Sequence, residues 1–458
     1  MSGNPLKKLL PPEALPWLLS ALALLLFPAV FQSSSAITIM NQMAITIVFA
    51  LSYNMLLGQG GMLSFGHAVY MGLGGFMCIH LLNYVEYEEW WIPLPLLPFL
   101  GGLFGLLFAL LIGYFSTRRA GTVFAMISLG IGELVAACSI IIVVFFGGEE
   151  GVSGDRTYGP TLFGYDFSSQ KEVYYLTAIW LLIAALGMYL FSRTPVGRMA
   201  NAVRDNPERA EFLGYSQRAV RYYSFCISGF FAGVAGGLFA INYEILTEEN
   251  LNLATSGNIL LVTFLGGVGH FIGPVIGAVV FTLLQTVLSL KTEIWQLYVG
   301  ILFVVTVMFF PSGLAGLLAM HAGPVRNGKL FTLLGPYCRT LLPGAIAALA
   351  GAGLLEMLFH HRHAATGEDT MSLIGIEFSV ESFWPWAILA LIAAAGIAIV
   401  RATVGGLRSA WQAANTPGNP VVHPVTDPVA KTAPGVNNPA GEPGSGTTSG
   451  SDTAGKKS

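Results

Sequence analysis

The sequence predicts an all-α, polytopic bundle of membrane helices: about ten core spans, two extra C-terminal spans and a disordered tail. Three observations carry this. Of 458 residues, 54% are hydrophobic and only 10% are charged, against about 25% charged in an ordinary soluble domain. A water-facing surface built from so few charges would expose large apolar patches. The apolar residues also fall in windows of about 20, the length needed to cross the hydrocarbon of a bilayer, and the charges between windows alternate in sign. The net charge of −3 offers no clustered basic footprint, so no nucleic acid partner is expected. Cys78, Cys138, Cys226 and Cys338 are far apart and form no CxxC pair, which indicates neither a disulfide framework nor a zinc site.

Twelve windows bounded by charges or turns can be placed in order: 15–33, 36–57, 65–83, 92–116, 121–146, 173–192, 222–243, 251–268, 271–290, 293–310, 341–359 and 383–400. The first follows Lys7 and Lys8 and precedes small residues at Ser34 and Ala36, as a signal peptide would. Its apolar run exceeds the ~7–15 residues of a signal core, and more spans follow, so it reads as an uncleaved span. Lys and Arg accumulate on the cytoplasmic side of short loops. Lys7 and Lys8, Arg118 and Arg119, the arginines from Arg193 to Arg221, then Arg326, Lys329, Arg339, Arg401 and Arg408 mark that side. Glu86 to Glu89, Glu149 to Asp155, Glu244 to Glu249 and Glu368 to Glu381 mark the other. The chain is thus expected to be a multi-pass membrane protein with both termini cytoplasmic. Between Glu249 and Arg326 the number of crossings must be odd, so 251–310 holds either three spans, the preferred reading, or one span plus re-entrant pieces. From about Asn415 the sequence turns to Pro, Gly, Ser, Thr and Asn, which cannot bury enough apolar surface to fold. Four regions follow: 1–35 with the first span, a 36–320 core, a 321–412 extension with two spans, and a 413–458 tail.

Two apolar stretches are broken alike, NMLLGQGGMLSFGHAVYMGLGGF from Asn54 and NILLVTFLGGVGHFIGPVIGAVVF from Asn258. Each passes from Asn through a Leu-rich turn to a Gly pair and then Gly-His. The glycines Gly60, Gly61 and Gly66 in the first, and Gly266, Gly267 and Gly269 in the second, either pack helices closely or break them where freed backbone lines a cavity. Paired interruptions in two halves are the sequence pointer to a substrate site. Ser64 and His67, with Thr263 and His270, are then the polar groups offered to a passing solute, although each histidine taken singly reads as a hydrogen-bonded packing residue. Glu133, some 18 Å into its span at about 1.5 Å per residue, is the other candidate in this pathway. A carboxylate there is costly, and no basic residue lies one turn away, so it needs a partner from another helix or a proton.

The stretch SRTPVGRMANAVRDNPERAEFLGYSQRAVRYYSF from Ser192 to Phe225 reads as a docking surface. Asn206 caps and Pro207 opens a helix, and Gly214 stops it. The helix spans about seven residues, too few for independent stability, with Ala210 and Leu213 on one face and Glu208, Arg209 and Glu211 elsewhere. Arg204 and Asp205 lead into it.

These residues carry a family resemblance. The run from Ala202 to Gly214, FCISGFFAGVAGGLFA after it, both glycine-broken segments, FAMISLGIGELV and GGEEGVSG at Gly147 to Gly154 together resemble the branched-chain amino acid permease family of ABC importers, and within it the M-type subunits of Liv systems. The resemblance covers about residues 36–318. It implies a permease subunit moving branched-chain or similar small amino acids inward by ATP-driven alternating access. The implied partners are a second related permease, two cytoplasmic P-loop ATPases and a periplasmic binding protein. ATP and magnesium would lie on the ATPases and no cofactor on this chain, which is not itself an enzyme. Arg204 to Gly214 would form the coupling helix, and the acidic loops would face the binding protein. Two departures stand out: the family core ends near Pro311 to Leu317, and Ala136 stands where many relatives carry Arg after GELV. Urea, short amides or aromatic acids are alternative cargoes for the same machinery, and an ATP-independent secondary transporter or channel is the alternative mechanism.

Two signals are rejected. GPVRNGKL at Gly323 to Leu330 has P-loop spacing but ends in Leu330 where magnesium needs Ser or Thr, and no strand precedes it. His360, His361 and His363 cluster without a nameable further ligand, so no metal is assigned.

Overall fold

The computed structural model describes residues 14–160, 165–363, 370–373, 376–379 and 382–416. They are overwhelmingly helical, as the composition predicts. In chain order the helices are α1 (Ala14–Val30), α2 (Ser34–Asn54), α3 (Ala68–Tyr87), α4 (Leu97–Ser116), α5 (Thr122–Ile141), α6 (Gln170–Arg193), α7 (Pro195–Asp205), α8 (Pro207–Phe212), α9 (Gln217–Tyr243), α10 (Leu253–Gly266), α11 (Gly273–Ser289), α12 (Trp295–Phe309), α13 (Gly313–Met320), α14 (Ala322–Arg326), α15 (Leu334–His363) and α16 (Phe383–Asn415). Two short antiparallel ladders join loops: β1 (Val152–Ser153) with β2 (Ile245–Leu246), and β3 (Thr370–Leu373) with β4 (Ile376–Ser379).

Among the described residues, eight helices are long and apolar enough to cross a membrane, and α12 with α13–α14 makes a ninth if that pair, bent by 50°, is one span. Each predicted window meets a helix, but not each helix is a full span. α10 has 14 residues and α11 has 17, about 21 and 26 Å at 1.5 Å per residue, short of the ~30 Å hydrocarbon core. The region 251–310 is therefore two shortened helices and the start of a bent element rather than three plain spans. α1 is also short, with 17 residues. The 121–146 window is broken at Ile142, after which Val143–Phe146 forms a separate turn. At the C-terminal end, α16 runs to Asn415, past the expected boundary at 412; the rest of the expected tail lies outside the described residues.

α9 occupies the centre, against α2, α3 and α4. Gly229, Gly233 and Gly237, one turn apart on α9, face Gly101 and Gly105 of α4 and Gly74 of α3, with backbone atoms filling the places where Cβ atoms would stand. Where lipid tails supply no hydrophobic drive between helices, such small-residue stripes let dispersion hold the pair. Tyr53, Leu56, Phe76 and Val234 fill the core around this seam.

Three of the acidic loops, at Glu86 to Glu89, Glu149 to Asp155 and Glu244 to Glu249, gather at one end. Val152 pairs with Leu246, Asn83 donates to the Ser153 carbonyl (3.1 Å), and Arg156 is buried there. Its guanidinium donates to the Ile241 (3.0 Å) and Phe167 (2.8 Å) carbonyls and faces Glu244 at 3.7 Å. A cation on the last carbonyls of α9 complements its negative end. Beside it, the Thr157 hydroxyl and amide donate to Asp155 and hold that carboxyl below its ordinary pKa. The 321–416 extension is a hairpin of α15 and α16, tied to the core where the Tyr298 hydroxyl donates to Glu356 at 2.8 Å.

Candidate functional site

The first glycine-broken segment opens. α2 passes into a π turn at Met55–Gln59, continues without regular structure and restarts at Ala68 as α3. A break inside a membrane bundle frees backbone donors that must be satisfied. Serines from two distant helices do this: Phe65 N–H donates to the Ser128 hydroxyl of α5 and Ala68 N–H to the Ser256 hydroxyl of α10, each at 3.0 Å. The Tyr53 hydroxyl donates to the Ser64 carbonyl at 3.0 Å. Gly66 is pressed on α5 so closely that an added Cβ would stand 2.3 Å from the Ser128 carbonyl oxygen.

His67 sits at the end of this break, 1% exposed, with Nε2 3.1 Å from the Ser52 hydroxyl and its ring stacked on Phe49 at 5.4 Å. Ser52 already donates to the Phe49 carbonyl at 2.7 Å. Its single hydrogen is thus committed, and Nε2–H of His67 is the donor, which leaves Nδ1 as the unprotonated nitrogen. That Nδ1, the Ser64 hydroxyl, and the side-chain oxygens of Asn54 and Gln59 are buried without hydrogen-bond partners. Four such atoms lie along one break, where buried polar groups ordinarily find partners.

The second segment closes instead. α10 and α11 meet through Gly266, whose Cβ position lies 2.0 Å from the Gly273 carbonyl oxygen, and Gly277, at 2.1 Å from that of Val262. Gly267 has φ +112° and packs on the Ser312 carbonyl and Gly313, a conformation and a contact that a side chain would forbid. Thr263 is fully buried, but its hydroxyl donates to Ile259 at 2.8 Å within its own helix. Its one hydrogen is thus committed inside the helix. Gly269 stands in open space and His270 is half-buried, its Nδ1 unpartnered. The two segments meet where Gly58, against Asn54, approaches the Val268 carbonyl.

Glu133 lies on the outer face of α5 beside exposed Leu134, with no partner among the described residues. Among the described residues, no other helix supplies the partner expected for a carboxylate within a span.

The loop between α6 and α9 is built by caps. Thr194 accepts from Gly197 N–H (3.2 Å) ahead of Pro195 and starts α7; Asn206 accepts from Arg209 N–H (3.0 Å) ahead of Pro207 and starts α8. Gly214 ends α8 with φ +85°. Ala200, Val203, Ala210 and Val220 form a small core that holds both short helices on α9. Ala210 is buried as its helical position predicts, but Leu213 is not on that face. It is 67% exposed and, with Phe212 at 91%, forms an apolar tip between Glu208, Arg209 and Glu211. Arg204, paired with Asp205 at 2.9 Å, turns back into the bundle: its guanidinium donates to the Gly58 carbonyl of the π turn, and its stem covers Gly61, whose φ is +64°. Gly60 closes the same turn, donating to the Met55 carbonyl at 3.3 Å. The structure thus joins two groups of residues, the glycine break and the arginine-rich loop, through a contact 146 positions apart in sequence.

Sequence reasoning missed Ser52, Ser128, Ser256, α7 and Phe212. Isolated serines in apolar runs were a usable signal, since each must find a partner in hydrocarbon, and Thr194-Pro195 repeats the cap-and-proline order of Asn206-Pro207.

The comparisons agree with this architecture. The family described as the branched-chain amino acid transport system permease component matches residues 35–310. The chain is 27% identical over 305 residues to the high-affinity branched-chain amino acid transport system permease protein LivM of Escherichia coli K12, covering 62% of this chain and 70% of the relative. It is 24% identical over 232 residues to a probable branched-chain amino acid transport permease protein, LivH, of Methanocaldococcus jannaschii, covering 49% and 71%. It is 28% identical over 116 residues to the guanosine ABC transporter permease protein NupQ of Bacillus subtilis, covering 25% and 36%. No solved structure matches the chain. With a break served by its own serines, a capped loop tied to that break and a family match over more than half its length, the chain belongs to the branched-chain amino acid permease family of ABC transport systems.

Proposed function

We propose that this chain is a membrane subunit of an ATP-driven importer for branched-chain amino acids or closely similar small amino acids, in the inner membrane with both termini cytoplasmic. The observation that carries the reading is the Arg204 contact with the Gly58 carbonyl. A surface loop that meets an ATPase needs a rigid route into the bundle, and here one charge-assisted bond supplies it. Phe212 and Leu213 are the apolar tip seated on the ATPase, ringed by Glu208, Arg209 and Glu211. Two P-loop ATPases would bind ATP and magnesium, leaving this chain without a cofactor. Glu133, unpartnered on the face of α5, supports a second permease subunit packed there, because an ionisable group at that depth belongs against protein or water. A periplasmic binding protein would meet the acidic loops that Arg156 fixes.

The test is reconstitution of the complex with its copurifying ATPase. Losing a hydrogen bond to a charged group costs about 1.5–3 kcal/mol, or roughly 10- to 150-fold at about 1.4 kcal/mol per decade. Arg204→Glu is expected to lower solute-stimulated ATP hydrolysis by that factor, and Pro207→Gly by less, with both variants inserted normally. Unchanged coupling in both would sink the docking assignment. Uptake driven by an ion gradient with no ATPase present would establish the secondary-transporter alternative instead.

A further inference from the structure

A cavity of about 200 Å³ lies between α2, α9, α10 and α11, on the acidic-loop side of the glycine break. Its walls are sorted by polarity. Gln42 of α2, Asn258 of α10 and Gln285 of α11 line it, as do Phe49, Val262 and Phe281 from the same three helices. On α2 the aromatic lies two turns from the amide; on α10 and on α11 the apolar residue lies one turn from it. Because α10 starts beside the acidic loop at Glu248–Asn250 and α11 runs back toward it, the amides form the mouth and the apolar residues the floor. A fourth amide, Asn250, also lines the cavity and accepts from Thr247 N–H at 3.0 Å, whereas the side chains of Gln42, Asn258 and Gln285 make no hydrogen bond to protein among the described residues. No charged side chain lines the cavity.

We infer that this cavity is a solute seat within the single chain, for a small, net-neutral, amphipathic molecule: an α-amino acid zwitterion with an aliphatic side chain. An amide both donates and accepts, so the mouth can meet a carboxylate and an ammonium together without selecting a net charge. The floor takes the aliphatic part, and its size, about seven waters at ~30 Å³ each, suits a solute of that class. A polyhydroxylated solute would leave hydroxyls unpaired against Phe49, Val262 and Phe281. The Phe49 ring rests on His67, so the floor of the seat is one wall of the break that Arg204 holds. The seat deepens the importer reading and rests on it for the direction of movement; binding itself does not depend on it.

The experiment is cysteine protection in the assembled complex. Cys138 and Cys338 are replaced by Ser, while Cys78 and Cys226 stay buried, and Asn258→Cys and Gln285→Cys are made singly, so that either serves if the other fails to assemble. A water-soluble methanethiosulfonate labels the introduced thiol. At ten times its Kd, L-leucine leaves about a tenth of sites open and slows labelling roughly tenfold, while D-ribose leaves the rate unchanged. No protection by L-leucine, or protection by D-ribose alone, overturns the seat. Proteoliposome uptake of L-leucine by the complex separates the two readings. Undiminished uptake by Gln42→Leu with Gln285→Leu removes the seat and leaves the importer standing. Protection without any ATP-dependent uptake by the unaltered chain removes the importer and leaves the seat.

Discussion

The two glycine-broken segments share a sequence pattern and adopt opposite structures. In the first, the chain opens into a π turn and an irregular stretch, and its freed donors go to Ser128 and Ser256. In the second, Gly266, Gly273 and Gly277 interlock backbone on backbone and exclude side chains altogether. The difference lies in what surrounds each pair. Serines, a histidine and an arginine can serve an open backbone; glycines and aliphatics can only shut it. Glycine spacing announces a break, and the neighbouring polar groups decide whether the break is a site or a seam.

The largest effect expected from this contrast is at Gly66. Gly66→Val sets a branched side chain against the Ser128 carbonyl, an overpacking of about 3 kcal/mol or more, and the variant should lose its thermal transition in detergent, whereas Gly269→Ala, in open space, should shift it by less than ~0.5 kcal/mol. Equal tolerance at both would erase the distinction. Next come the serines. Ser128→Ala or Ser256→Ala orphans one buried N–H, at about 1–3 kcal/mol each, measured by thermal unfolding; Thr263→Val removes a bond made within its own helix and should cost under ~1 kcal/mol. Of the two histidines, His67→Ala is expected to cut solute uptake roughly tenfold or more, since loss of one positioned hydrogen bond and its stacking is worth about 1.5 kcal/mol or more; His270→Ala should leave uptake within about twofold. The smallest effect is at the loop: Asn206→Ala removes a cap worth ~1 kcal/mol and should speed amide exchange in Pro207–Phe212, with Asn206→Asp restoring protection.

Much of this was legible beforehand. Hydropathy and charge placed every window on a helix, and Asn206, Pro207 and Gly214 did what cap chemistry requires, because these signals depend on a few adjacent residues. Span length at 251–310 was not legible, since a Gly pair reads alike whether a helix bends, breaks or turns back. Leu213 fell on the wrong face because the helix ends at Phe212, one residue before the periodicity assumed. The Arg204 contact with Gly58 and the amide-lined cavity join residues from distant windows, and no local pattern encodes such a meeting. Glu133 was expected to take a partner from another helix or to carry a proton; it faces outward, with no partner among the described residues.

The length of α16 has a separate consequence. Its 33 residues make a rod of about 50 Å at ~1.5 Å per residue, longer than a bilayer is thick in hydrocarbon. Trp384 near its start and Arg401, the first charge along it, stand about 26 Å apart on the axis. Beyond Arg401 the last turns are held from outside the helix, where Asn327 and Lys329 donate to the Ala414 and Ala413 carbonyls at 3.0 and 3.2 Å. Residue 416 stands about 22 Å along the axis from Arg401, so this end of the rod is braced by the segment between α14 and α15 rather than left free.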